Sequence, residues 1–139
     1  IRGEDTAANM MRHMSGAVSV AEAAYAAKRG DDPFPETLLE IEGDGGSLLL
    51  SKGEKLKVTT HGLTFEDNVG GPLLSWTSRP WHVSQDAVLH ANRHMLERVR
   101  LDLPADTSGE DNLKTYALVE AAYEAAETHT SVRPKTHLT

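Results

Sequence analysis

The strongest constraint on the fold is a series of short apolar runs that alternate with compact turns in the middle of the chain. The runs span 37–42, 47–51, 55–60 and 63–66. The turns between them are Asp44-Gly45-Gly46, Lys52-Gly53-Glu54 and His61-Gly62. Connections this short join neighbouring antiparallel strands, and Leu56 and Val58 alternate with polar residues. The segment therefore predicts an antiparallel meander with one apolar and one polar face. A loop is predicted at 67–72, and a last short strand could form at 73–76.

The segment 7–27 admits two interpretations. Its Ala and Met residues are good helix formers. However, Ser15-Gly16 is a two-residue turn signal, and Val18 and Val20 alternate with smaller residues, which is typical of a hairpin. The residue pattern alone favours neither a helix nor a hairpin.

Two helices are predicted after the meander. The first spans 84–100, where one stripe holds Ala87, Val88, Ala91, Met95, Leu96 and Val99. The second begins at Ser108, which can cap the helix because Asp111 follows three residues later. Its small-residue face holds Leu113, Ala117, Leu118, Ala121, Ala122 and Ala125. The predicted fold class is therefore α+β, with a largely antiparallel sheet and two helices packed on one face, in a single domain over residues 1–139.

Composition argues against several classes of partner. The 14 Lys and Arg residues are outnumbered by 21 Asp and Glu residues, which gives a formal net charge of −7. A nucleic-acid binder needs a concentrated positive field, so neither nucleic acid nor an anionic membrane is expected as a partner. The sequence contains no cysteine, which excludes disulfides and thiolate metal sites and suits a cytoplasmic protein. No apolar run approaches the roughly twenty residues of a membrane span.

Three stretches in the same order resemble one known family. They are 40–48 in the meander, 107–113 with 119–123 and Val132 near the C-terminus, and Gly3 to Ala7 with Ser15-Gly16-Ala17 near the N-terminus. This pattern resembles the Gfo/Idh/MocA oxidoreductases, the family of glucose–fructose oxidoreductase and inositol dehydrogenase. The resemblance covers nearly the whole chain and favours a hairpin at 7–27.

The resemblance implies that this chain is a C-terminal, substrate-side and oligomerisation domain. In the family, an N-terminal Rossmann domain binds NAD or NADP and carries a Glu-Lys-Pro motif with the catalytic lysine. The chain contains neither G-x-G-x-x-G nor Glu-Lys-Pro, and it lacks the acid/base segment of the family. We therefore expect the Rossmann domain to precede Ile1 in a parent protein. No catalytic, cofactor-binding or metal residue is expected here, and NAD or NADP would bind the parent and not this piece.

The candidate substrate-binding residues lie in two loops. Trp76, Arg79, Trp81 and His82 surround the start of the first helix, and Phe34 and Glu36 lie in a proline-rich approach to the meander. Sugar sites combine aromatic faces with charged or amide groups. The resemblance implies that the first helical turn faces the substrate pocket and that the proline-rich loop contributes an aromatic side chain. Alternatively, the tryptophans pack the helix onto the sheet, and 32–36 is a rigid surface turn.

Other clusters are expected to be structural. His90 and His94 share one helix face with the spacing of a metal site, but no carboxylate completes a metalloprotease motif, so surface histidines are expected. The sheet residues Lys52, Lys55 and Lys57 are expected to form a solvated strand face.

The predicted function is that of a domain, inactive by itself, from an NAD(P)-dependent sugar or polyol oxidoreductase. Two alternatives stay open: a free-standing binding or scaffold protein, and a parent that cleaves glycosides with the help of NAD. The resemblance also implies a homo-oligomer formed through the open sheet face, to which Leu48, Leu50, Leu56 and Val58 would contribute.

Overall fold

The computed structural model describes residues 4–25, 38–79 and 81–135, and the chain divides into two compact units. One unit combines the two ends of the chain, Ile1–Gly30 and Asp106–Thr139, and the other is the stretch Asp31–Ala105 between them. In chain order the elements are β1 (Thr6–Arg12), β2 (Val18–Ala24), β3 (Leu39–Gly43), β4 (Gly46–Ser51), β5 (Lys55–Thr60), β6 (Leu63–Asn68), α1 (His82–Leu101) and α2 (Gly109–Thr128). All described strand pairs are antiparallel, which confirms the predicted α+β class.

In the first unit, β1 and β2 form a hairpin and not a helix. The strands pair from Thr6 with Ala24 to Arg12 with Val18. The His13 amide donates to the Ala17 carbonyl at 2.9 Å, and Gly16 has a φ of +93°, which a side chain would disfavour. The hairpin implied by the family resemblance is therefore confirmed.

Helix α2 supplies the buried apolar residues of the first unit. Its N-cap is Ser108, whose hydroxyl accepts a hydrogen bond from the Asp111 amide at 3.1 Å, as the capping pattern predicted. Ala117 and Ala121 are the only apolar residues that are buried in the part of the chain that the structure describes. Further along, the Tyr123 hydroxyl donates to the Glu4 carboxylate at 3.2 Å, and this hydrogen bond raises the pKa of Tyr123.

The second unit contains a four-stranded meander in the order β3-β4-β5-β6, as predicted. Residues paired across antiparallel strands share one face of the sheet, and alternate residues point to opposite faces. The face that we call the apolar face holds Leu39, Ile41, Gly43, Gly46, Leu48, Leu50, Leu56, Val58, Thr60, Leu63, Phe65 and Asp67. The opposite, polar face holds Glu40, Glu42, Ser47, Leu49, Ser51, Lys55, Lys57, Thr59, Thr64, Glu66 and Asn68. The predicted segregation of apolar and polar residues is therefore confirmed.

The ends of the meander differ from the prediction in two places. Strand β6 continues to Asn68, because Asp67 and Asn68 pair with Leu56 and Lys55 of β5 instead of entering a loop. The strand considered at 73–76 is wrong. A turn occupies this position, in which the Thr77 amide donates to the Leu74 carbonyl at 3.0 Å.

Helix α1 begins two residues earlier than predicted, with Trp81 as its N-cap. Its apolar stripe is largely uncovered, since Val88 is 59% exposed and Val99 is 74% exposed. The most deeply buried residue of α1 is instead His82, in its first turn. The apolar periodicity therefore predicted the helix, but within the described residues nothing covers its apolar stripe.

Gly46 is expected to be irreplaceable in the β3–β4 turn. Its φ is +145°, and a Cβ at this position would overlap the backbone carbonyl oxygen of Thr59. We expect Gly46→Ala to lower the free energy of unfolding by about 2 kcal/mol or more, since such strain costs roughly 1–3 kcal/mol per residue. Urea denaturation followed by circular dichroism measures this. Gly45→Ala is the matched control, because a Cβ there meets no atom within 4 Å. Equal losses for both variants would contradict the proposed strain.

Candidate functional site

The segment between the meander and α1 is held against the first helical turn by hydrogen bonds. The hydroxyl of Thr77 donates to the Leu74 carbonyl at 3.0 Å and so closes the preceding turn. The Ser78 amide then donates to the side-chain carbonyl of Gln85 at 3.1 Å, while the Gln85 amide donates to the Trp81 carbonyl at 3.0 Å. Gln85 therefore links the incoming loop to the helix start, the stretch that contains four of the predicted site residues.

His82 is the most unusual residue of this stretch. His82 is only 6% exposed, and its Nδ1 atom is buried without a hydrogen-bond partner among the residues that the structure describes. A buried polar atom without a partner costs roughly 1–3 kcal/mol, so proteins seldom keep one unless it has a use. The His82 Nδ1 atom is therefore a buried polar atom whose hydrogen bond the described residues do not supply.

Asp86 lies one turn further along α1 and packs against a glycine. A Cβ on Gly71 would lie 3.0 Å from the Asp86 carboxylate, a tight contact that the glycine avoids. The same carboxylate lies 3.6 Å from Nε2 of His90, and the Asp86 side chain is 16% exposed. Asp86 was not among the site residues predicted from the sequence. It lies four residues from both His82 and His90, and this helical spacing was the signal that could have identified it.

The aromatic candidates are only partly covered. Trp81 is 49% exposed and Trp76 is 55% exposed, so each indole keeps about half of its surface available. Arg79 lies in the turn before α1 and is also exposed. Half-exposed indoles and a guanidinium are groups that bind the C–H face and the hydroxyls of a small polyhydroxy compound.

The other residues considered from the sequence lie outside this stretch. Phe34 and Glu36 lie outside the described residues. His90 pairs with Asp86, and no group of three potential metal ligands is found in 4–25, 38–79 and 81–135. On the polar face of the sheet, Lys57 lies 3.5 Å from Glu66, as is usual for a solvated strand face.

The described residues do not fit a dinucleotide cofactor. Dinucleotides bind where parallel strands diverge, with the pyrophosphate at a glycine-rich turn before a helix. The strands described here pair only in antiparallel fashion, and the sequence contains no G-x-G-x-x-G.

Neither described helix is both long enough and apolar enough to cross a bilayer.

Comparison with known proteins finds relatives that share one name. The chain is 49% identical over 127 residues to a D-apiose dehydrogenase of Rhizobium rhizogenes, covering 91% of this chain and 36% of the relative. It is 38% identical over 135 residues to a D-apiose dehydrogenase of Paraburkholderia graminis, covering 97% of this chain and again 36% of the relative. The chain therefore spans just over a third of the length of these curated relatives. No protein-family model matches it.

The chain is also similar to part of a solved structure. It is the crystal structure of an oxidoreductase from Agrobacterium radiobacter in complex with NAD+, L-tartaric acid and magnesium. The TM-score is 0.89 at 45% identity, covering 94% of this chain and 38% of the other. The chain corresponds to part of an oxidoreductase of the Gfo/Idh/MocA type. The resemblance predicted from the sequence is thereby confirmed.

Replacement of His82 tests whether its Nδ1 atom is unsatisfied. We expect His82→Leu to leave the free energy of unfolding unchanged or to raise it by about 1 kcal/mol, because an apolar side chain removes a buried polar atom without a partner. Thermal denaturation of the chain measures this. His13→Leu is the control, since the His13 ring is exposed and bonds Ser19 at 2.8 Å. A large loss of stability in His82→Leu alone would mean that the imidazole has a partner in the folded chain.

Proposed function

We propose that this chain is the substrate-side part of an NAD-dependent sugar dehydrogenase that acts on D-apiose or a closely related small sugar. The observation that carries the proposal is the 49% identity to a D-apiose dehydrogenase over 91% of the chain. Two relatives from different organisms bear the same name, which supports the same substrate class. The chain contributes a wall of the substrate pocket, and the redox chemistry belongs to residues outside it.

The pocket wall is the stretch from Trp76 to His82. The exposed half of the Trp81 indole offers an apolar face to the C–H side of a sugar, and the exposed Arg79 guanidinium offers hydrogen-bond donors to its hydroxyls. A site that hydrogen-bonds a hydroxyl discriminates strongly against analogues that lack it, because its own polar group is then left unpaired.

NAD is the proposed cofactor of the longer protein. The related oxidoreductase from Agrobacterium radiobacter was crystallised with NAD+, which supports NAD over NADP. NAD would supply the hydride acceptor for the longer protein. The residues described here do not fit it, so their role is to orient the sugar.

We also propose that the protein self-associates and is cytoplasmic. The apolar face of the sheet exposes Ile41 at 53% and Phe65 at 57%, and apolar surface of this extent is typical of an interface. The absence of cysteine from the sequence fits a reducing compartment.

Catalysis is expected to require residues beyond this chain. The purified chain with D-apiose and NAD+ should produce no NADH above background, because it contains neither a dinucleotide site nor a positioned base. A longer product translated in frame from upstream of the codon for Ile1 should oxidise D-apiose. Absorbance at 340 nm measures both. Turnover by the chain alone, or a longer product that is folded and inactive on sugars, would refute the proposal.

Two substitutions in the longer product test the pocket wall. Trp81→Ala and Arg79→Gln should each raise KM for the sugar about fivefold with a much smaller change in kcat, because each removes one stacking or hydrogen-bonding contact worth roughly 1 kcal/mol. Steady-state kinetics at saturating NAD+ measure this. His13→Leu, in the hairpin, should leave KM unchanged. If KM is the same for all three variants, this stretch does not bind the substrate.

A further inference from the structure

We propose that the β1–β2 hairpin is a site of reversible methionine oxidation, at which peroxide converts Met14 and Met10 to the sulfoxide before it reaches the other methionines. The proposal does not depend on the dehydrogenase function proposed above. It follows from where the sulfur atoms of the chain lie and from how much of each methionine is exposed to water.

All sulfur chemistry of this chain falls on methionine. The sequence contains no cysteine, so there is no thiolate to react first with peroxide. Of its four methionines, Met10, Met11 and Met14 lie together at the first hairpin, whereas Met95 lies in α1. An oxidant that attacks sulfur therefore meets most of its targets in one short segment.

Exposure differs widely among the four methionines. Met14, in the turn between β1 and β2, has a relative exposure of 106%, so it is as open as in an extended peptide. Met10 is 78% exposed, while Met95 is 40% exposed and Met11 is half-buried. Peroxide has to reach the sulfur lone pair, so a thioether is oxidised faster when its side chain is exposed. The expected order therefore begins with Met14 and Met10.

Strand alternation separates Met10 from its neighbour Met11. Residues paired across antiparallel strands share a face, and Met10 pairs with Val20 while Met11 pairs with Ser19. Val20 is 57% exposed, so the face of Met10 is open to water. Asn9 and Ser19, on the face of Met11, are half-buried like Met11 itself. Two methionines that are adjacent in the sequence therefore differ in their access to an oxidant.

The hairpin can carry the added oxygen atoms without unfolding. At Met14 and Met10 a sulfoxide meets water, whereas in a half-buried position it would place a polar oxygen among packed atoms. The turn is closed by backbone hydrogen bonds, from the His13 amide to the Ala17 carbonyl at 2.9 Å and from the Gly16 amide to the His13 carbonyl at 3.0 Å. Neither bond involves a methionine side chain, so oxidation leaves both intact.

Each oxidation step transfers one oxygen atom. The sulfur lone pair attacks one oxygen of hydrogen peroxide, the O–O bond breaks, and methionine sulfoxide and water are formed. The sulfur loses two electrons and the peroxide gains them. A methionine sulfoxide reductase reverses the step with two thiols, which become a disulfide while the oxygen leaves as water. Because the sulfoxides of the hairpin are exposed, such an enzyme can reach them.

Oxidation of the folded chain by hydrogen peroxide tests the order of reaction. Tryptic digestion and mass spectrometry follow the oxidation of each methionine over time. Cleavage after Arg12 separates Met14 from the other two hairpin methionines, and fragmentation distinguishes Met10 from Met11. We expect Met14 and Met10 to react about three times as fast as Met11 and Met95, or faster, because they are more exposed. In concentrated urea all four rates should agree within about twofold, since unfolding removes the difference in exposure.

Matched variants test whether the fast reaction belongs to the hairpin. The double variant Met10→Leu/Met14→Leu should lose the fast phase, and the control Met95→Leu should keep it. Leucine is apolar and similar in size to methionine, so both variants should fold, which circular dichroism checks. Equal rates for Met10 and Met11 in the folded chain, or a fast phase that survives in the double variant, would overturn the proposed site.

Reduction of the oxidised chain tests reversibility. Methionine sulfoxide reductases of both stereospecificities, with dithiothreitol, should return Met14 and Met10 to the thioether. The circular dichroism spectrum should be the same before oxidation, after it and after reduction. Sulfoxides that the reductases cannot remove, or loss of the folded spectrum while only Met14 and Met10 carry oxygen, would show that the modification is damage and not a reversible site. Sugar oxidation by the longer product is measured independently of these results.

Discussion

The second unit depends on a register in which apolar residues pair with apolar residues across four antiparallel strands. Ile41, Leu48, Val58 and Phe65 form one such row. A slip of one residue in any strand would move its apolar side chains to the opposite face and bring lysines and glutamates into their place. Compact turns prevent the slip. Gly46, Gly53 and Gly62 adopt positive φ, which lets each turn close with so few residues. Local backbone freedom at the glycines therefore determines which surfaces the sheet presents.

Much of this unit could be predicted because its signals are local. Turn dipeptides and alternation lie within a few residues of each other, so the meander could be recognised without tertiary information. The end of β6 could not, since Asp67 and Asn68 have low strand propensity and are held only by their partners on β5. The hairpin at 7–27 was undecided by its residues and was resolved only by the family resemblance, because Ala and Met suit both structures.

The residues of the candidate site could be chosen from the sequence, but the packing around them could not. The stretch from Trp76 to His82 was predicted to be a sugar-binding surface from its residue types and the family resemblance, and this stays a prediction. The burial of His82 and the lack of a partner for its Nδ1 depend on how the chain packs around it, which no periodicity reveals. The contact between Asp86 and Gly71 joins residues fifteen positions apart and was equally invisible. The apolar stripe of α1 was predicted from its periodicity, but periodicity does not show that Val88 and Val99 stay exposed.

The division of the chain into units has a consequence for biosynthesis. The first unit is assembled from both ends of the chain, and the hydrogen bond from Tyr123 to Glu4 joins residues that are translated far apart in time. The second unit is continuous, so all of its strands and its helix leave the ribosome before α2 is made. During translation the β1–β2 hairpin is therefore without the helix of its own unit, and a two-stranded ribbon by itself is only marginally stable. The hairpin must wait for α2, and the second unit is the part of this chain that can fold before it.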